Sequence, residues 1–262
     1  VMAGGYNHGG ADRLYHLKKT AVKWVRGAQA WAPLPDLAEK RAGAAAVALP
    51  DGRAMVLGGL GSQNVVASVE VLAADGSGWS ALAPMGTARH NPAAAVLPCG
   101  KLLVAGGQTT AADSALETAV LWDPATGAWS DLPPMAEARS RAGCCVLPSG
   151  RVAVVGGAGD DNQPRRDGEA FDPVARTWQP LPRMAHARAT HGVVAVAGGL
   201  MVVGSNEVGA PNELFDEGSG RWFALPHPMA EPRVSARVVS LPVAALTAPP
   251  AAAAGGAAAA AP

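Results

Sequence analysis

Apolar positions in this chain come in short paired runs, and the pairs recur. Across residues 140–178, Ala142-Gly143-Cys144-Cys145-Val146-Leu147 is a run of small apolar residues stopped by Pro148-Ser149-Gly150. Arg151-Val152-Ala153-Val154-Val155 follows, β-branched, and ends at Gly156-Gly157. Two apolar runs joined by a tight Pro/Gly turn predict a β-hairpin. After a polar loop from Ala158 to Asp167, Glu169-Ala170-Phe171-Asp172 and Thr177-Trp178 flank the turn Pro173-Val174-Ala175-Arg176. That is a second hairpin, so one unit carries four strands.

The unit returns every 44 to 50 residues. Arg89 to Trp129 contains Gly106-Gly107, Arg139 to Trp178 contains Gly156-Gly157, and Arg41 to Trp79 contains Gly58-Gly59. In a fourth copy, Arg188 to Trp222, Gly204-Ser205 replaces the double glycine. Such self-similarity is the signature of a repeat architecture. A four-stranded sheet cannot hide both faces alone, whereas radial stacking of several does so and leaves only short edges, the β-propeller solution. Innermost strands converge on the axis and favour Gly and Ala, as in Ala44-Ala45-Ala46-Val47 and Ala93-Ala94-Ala95-Val96. The recurring Trp31, Trp79, Trp129, Trp178 and Trp222 are expected between neighbouring sheets.

The order Arg, small apolar strand, x-Gly turn, apolar strand, Gly-Gly, polar loop, aromatic-Asp-Pro and Trp resembles the kelch repeat. Leu121-Trp122-Asp123-Pro124-Ala125-Thr126-Gly127-Ala128-Trp129 is an especially close match to its second half. The resemblance covers about residues 1–242 and implies an all-β, kelch-type β-propeller of four-stranded antiparallel blades. Residues 1–35 supply strands two to four of a first blade, and complete repeats occupy about 36–83, 84–133, 134–182 and 183–226. A last strand at 233–241 is expected to complete the first blade, closing a five-bladed ring with a strand from each terminus. The competing reading is an open piece of a six- or seven-bladed propeller. Residues 243–262, nearly all Ala, Pro and Gly, are expected to be a disordered tail. Val1-Met2-Ala3-Gly4-Gly5 already reads as the second run of a repeat, so the sequence is expected to be a piece of a longer protein.

Composition narrows the function classes. Lysine plus arginine equals aspartate plus glutamate, 21 each, which leaves no basic field for nucleic acid. No apolar stretch reaches the roughly 20 residues that span a bilayer. Cys99, Cys144 and Cys145 are too few for a disulfide framework, and no Asn-x-Ser/Thr acceptor occurs. A reducing, cytoplasmic setting is the expectation.

Constant residues of a repeat are architectural, so recognition is expected where copies differ in exposed loops. One set follows the repeat arginine: His90-Asn91, Ser140-Arg141, Thr190-His191, and Ser235 with Arg237. The other follows the double glycine and includes Tyr6-Asn7-His8, Gln63-Asn64, Gln108, Asp160, Asn162 and Asn206. In an antiparallel blade the end of strand two and the start of strand one share one end, so both sets ring one face around the channel mouth. Kelch domains bind partners there, which makes a protein or peptide partner the expectation. Arg141 and Arg237 suit an acidic peptide or carboxylate. The repeat arginines Arg89, Arg139, Arg188 and Arg233 are read as bonding blade-end carbonyls instead. Asp160-Asp161-Asn162 lacks the alternating spacing of a calcium loop and reads as solvated.

Kelch modules joined to an adaptor domain often select substrates for ubiquitin ligases, a role the resemblance allows for a larger protein. Other proteins of this fold carry a copper and tyrosyl-radical oxidase site, hold iron or rearrange sugars. Here Tyr6 and Tyr15 are the only tyrosines, and the six histidines form no close ligand pair. Nucleophile elbows, phosphate loops, zinc cysteine pairs and a full dinucleotide fingerprint are absent. The chain is therefore expected to be a binding module without metal or cofactor. The alternative is an oxidase- or epimerase-type propeller enzyme acting on a sugar or small molecule.

Overall fold

Small side chains at the start of each repeat let four strands approach a common axis. These innermost strands, Ala45–Ala48, Ala93–Val96, Gly143–Val146 and Gly192–Val196, each contact the next in turn. The structure is a computed structural model and describes residues 2–3, 6–8, 15–25, 30–110, 115–204 and 209–226. Each innermost strand opens a four-stranded antiparallel sheet whose strands pair in chain order. The fourth blade, for example, runs Gly143–Val146, Val152–Val155, Gly168–Asp172, Thr177–Leu181. Among the described residues there is no helix. The molecule is an all-β propeller.

The first blade is built differently. Met2–Ala3, Ala21–Val25 and Ala30–Leu34 form a three-stranded sheet. A separate hairpin, Tyr6–His8 paired with Tyr15–Leu17, is inserted between the first two of these strands. The segment after the first Gly-Gly was expected as a polar loop, but it folds back in β register, with Asn7 opposite His16. The strand expected at 233–241 and the tail at 243–262 lie outside the described residues.

No blade owns its core. The second strands of the third and fourth blades, Leu102–Ala105 and Val152–Val155, are buried along their whole length. Their side chains meet the neighbouring blade: Leu103, Ala105 and Leu121 cluster with Val152, Val154 and Phe171. Equivalent clusters join the second blade to the third and the fourth to the fifth, and a smaller one joins the first to the second. The apolar burial that stabilises each sheet is thus shared between repeats.

Four of the recurring tryptophans, those of the complete blades, occupy these seams, whereas Trp31 of the first blade is 52 % exposed. Each indole N–H donates to a carbonyl of the preceding blade: Trp79 to Pro35 at 2.8 Å, Trp129 to Ala83 at 2.9 Å, Trp178 to Pro133 at 2.8 Å, and Trp222 to Pro182 at 2.8 Å. Within the blade, Phe171 lies opposite Trp178 in register, ring centroids 5.1 Å apart, and Phe215 opposite Trp222 at 5.2 Å. The offset, tilted rings suit aromatic packing.

Candidate functional site at the axial mouth

Each of the four complete blades begins with an anchored arginine. Arg41, Arg89, Arg139 and Arg188 are fully buried and donate through Nη1 to the carbonyl of Gly58, Gly106, Gly156 and Gly204, at 2.7–2.9 Å. This is the blade-end role expected of Arg89, Arg139 and Arg188, and it turns these guanidiniums into the blade; Arg233 lies outside the described residues. Three also meet a buried glutamate: Arg41 with Glu70 at 2.6 Å, Arg139 with Glu169 at 3.1 Å, Arg188 with Glu213 at 2.9 Å. Those carboxylates accept backbone N–H bonds as well, from Ala38, Ala136 and Ala185. In the third blade Val120 holds the corresponding place on the strand. Arg89 there bonds the Thr118 carbonyl and hydroxyl, and burial pulls its pKa down to about 10.

Two residues after the arginine, the backbone turns left-handed in every one of these blades. Gly43, Asn91, Arg141 and Thr190 have φ of 59°, 53°, 56° and 57°. The N–H of Asn91 donates to the Gly43 carbonyl (2.7 Å), that of Arg141 to Asn91 (3.0 Å), and that of Thr190 to Arg141 (2.9 Å). A second arc runs beside it, from the N–H of Gly59, Gly107 and Gly157 to the carbonyls of Arg89, Arg139 and Arg188. Glycine is required at Gly106, where φ is 65° and a Cβ would lie 2.1 Å from the Arg139 oxygen. On the first arc, by contrast, a long and a β-branched side chain accept the left-handed strain.

These residues surround a cavity of about 220 Å³ on the axis. Its polar walls are Asn91, Arg141, Thr190 and His191, above a floor of Ala44–Ala46, Ala93, Gly143 and Cys144. His191 is only 4 % exposed, and among the described residues neither ring nitrogen has a partner of hydrogen-bonding geometry. Burial first, and the Arg188 guanidinium second, push its pKa down to about 3 against a smaller pull from the Val155 backbone. The imidazole is neutral at any physiological pH. Burial and then Arg141 lower His90 as well. The His90 ring leans on Gly43, where a Cβ would sit 2.3 Å from Nε2. Arg141 is half-buried; one terminal nitrogen bonds the Asn162 side-chain oxygen, and its buried Nε has no partner among the described residues. Cys144 on the floor has its thiol pushed well up by burial, and Cys145 behind it rises to about 12, the reverse of an activated nucleophile.

Short bridges, Ala42 to Leu60, His90 to Gln108 and Ser140 to Ala158, bring the two sets of loops to the same end. His90, Asn91, Arg141, Thr190 and His191 gather at the mouth. Ser140 and Gln108 do not reach it: both are buried, because the bridges turn their side chains into the blade, and the Ser140 hydroxyl bonds the Ala158 carbonyl. Asp160 is exposed but accepts the N–H of Ala115 in the neighbouring blade at 2.7 Å. Asn162 reaches the mouth only through Arg141. Asn206, Ser235 and Arg237 lie outside the described residues. Sequence reasoning missed Glu70, Glu169 and Glu213. A charged residue at one fixed place in otherwise apolar strands, as in Val69-Glu70-Val71 and Gly168-Glu169-Ala170, was the available signal.

Comparison with known proteins agrees with this architecture. The kelch motif matches residues 89–136. Among solved structures, one described as the structure of YjhT aligns with a TM-score of 0.68 at 14 % identity, covering 80 % of this chain and 77 % of that one. No curated protein matches the chain significantly. The kelch motif and the kelch-type propeller fold are therefore both present, and such propellers commonly mediate protein interactions.

Proposed function

We propose that this propeller is a protein-interaction module, without catalytic activity of its own, that receives an acidic peptide segment at the axial mouth. One observation carries the reading: Arg141, a cation with no carboxylate partner among the described residues, is held in a left-handed backbone position on the cavity wall. The left-handed turn itself recurs at Gly43, Asn91 and Thr190 and belongs to the repeat, so what singles out Arg141 is the charge carried there. Arg141 also breaks the repeat, since Gly43, Asn91 and Thr190 occupy its place in other blades. A guanidinium half-withdrawn from water binds a carboxylate by paired, charge-assisted hydrogen bonds. The neutral imidazoles add donors without adding charge.

Arg141→Ala is expected to reduce recovery of the partner from a lysate at least about ten-fold, the scale of one charged hydrogen-bonded contact. Unchanged recovery, with the fold intact by circular dichroism, would reject this face. The oxidase or epimerase alternative needs a metal or an acid/base pair at the axis. Stoichiometric copper or iron in the purified protein would favour it over the binding reading. A cytoplasmic setting and a substrate-recognition role within a larger protein, such as a ubiquitin-ligase adaptor, fit the same reading. Among the described residues no helix is long and apolar enough to cross a membrane.

A further inference from the structure

A second polar cavity, of about 270 Å³, opens between the fourth and fifth blades, away from the axis. Arg165, Arg166 and Arg183 converge on it. Backbone bonds identify the equivalent positions in other blades. The Arg165 carbonyl accepts from the N–H of Arg188, as Val66 does from Arg89 and Leu116 from Arg139. The Arg166 carbonyl accepts from Met184, as Ala67 does from Met85 and Glu117 from Met135. Arg183 precedes Met184 as Pro84 and Pro134 precede their methionines. The scaffold is satisfied at these three places by apolar, proline or acidic residues. Three guanidiniums at once, on one cavity, are an addition to the repeat and not a requirement of it.

Their engagement is unequal. Arg165 is spoken for, with Glu137 at 2.7 Å and Asp167 at 3.2 Å. Asp167 is shared with Arg139. Asp161, also on the wall, accepts the N–H of Gln163. Arg166 and Arg183 are exposed, and among the described residues their side chains make no ion pair or hydrogen bond. Two free planar forks ask for a ligand with more than the two oxygens of a carboxylate, which a single fork already satisfies. A phosphate monoester presents three acceptor oxygens and about −1.5 to −2 charge at pH 7.

We propose that this cavity binds a phosphorylated serine or threonine of the partner chain, with Arg166 and Arg183 as its ligands and Arg165 held behind them by Glu137 and Asp167. The assignment rests on the interaction reading above, since one wall of the cavity is the loop whose Asn162 bonds Arg141 at the axial mouth. The test applies the full chain to arrays of degenerate peptides carrying a central phosphoserine, phosphothreonine, serine or glutamate. Phosphorylated arrays are expected to retain at least about ten-fold more protein than the serine or glutamate arrays. Arg166→Ala with Arg183→Ala is expected to remove that excess without moving the melting temperature. Equal retention on all arrays, no retention on any, or full phospho-selectivity in the double variant each overturns the proposal. Displacement by inorganic phosphate at the same concentration as by phosphopeptide would reduce the site to a free-phosphate site and overturn the peptide assignment. A partner lost with Arg141→Ala but fully kept by the double variant leaves the interaction reading standing and removes only this one.

Discussion

His191 shows how one residue can be both structural and informative. Its imidazole lies against Gly143 and Gly156, where a Cβ would meet it at 3.0 and 2.7 Å. In the unfolded chain it titrates near 6.5, while in the folded protein the value is about 3. Between those values the unfolded state binds the extra proton, so stability is complete above about pH 6.5 and falls as the pH drops, by about 1.4 kcal/mol per pH unit. His191→Leu is expected to take that slope out of urea-unfolding free energies between pH 6.5 and 5.5, above the unfolded-state values of 3.8 and 4.5 near which the lowered carboxylates begin to contribute. A variant with the wild-type slope would show that His90, which shifts in the same direction, carries the dependence instead.

At the scale of the element, the repeat units read from sequence and the sheets in the structure coincide closely in the middle blades. Val152–Val155 and Leu102–Ala105 were legible because β-branched or apolar runs ended in Gly-Gly. The tryptophan seam was legible as a position, though the acceptor of each indole was not, since a carbonyl 40–46 residues away leaves no mark in a side-chain pattern. Trp178→Phe keeps the packing on Phe171 and removes one inter-blade hydrogen bond, so about 1 kcal/mol of stability should be lost. A loss of several kcal/mol would mean that the seam, and not the bond, depends on the indole. The candidate site was half legible. Position after the repeat arginine placed Asn91, Arg141, Thr190 and His191 at the mouth, but the alternation that buries Ser140 and Gln108 depends on bridges between loops. The basic cavity at Arg165, Arg166 and Arg183 joins two segments that only the inter-blade bonds bring together.

At the scale of the whole molecule, the chain's own punctuation and the units that hold together are offset. Arg188 and Thr190 belong by sequence to the fifth blade, yet their backbones complete the fourth: the Arg188 carbonyl takes the Gly157 N–H, the Arg188 N–H goes to Arg165, and the Thr190 N–H goes to Arg141. Each repeat is thus finished by the opening triplet of its successor. The practical consequence concerns where such a chain can be cut. A truncation at residue 182, the tidy end of a repeat, strips the fourth sheet of these three bonds and of the Met184 bond to Arg166. One at residue 191 keeps all four. With each worth about 0.5–1.5 kcal/mol, the longer fragment should unfold at clearly higher urea, and equal midpoints would contradict it. For anyone grafting, permuting or shortening propellers of this kind, the natural joint lies just inside the next blade, not at the gap between two.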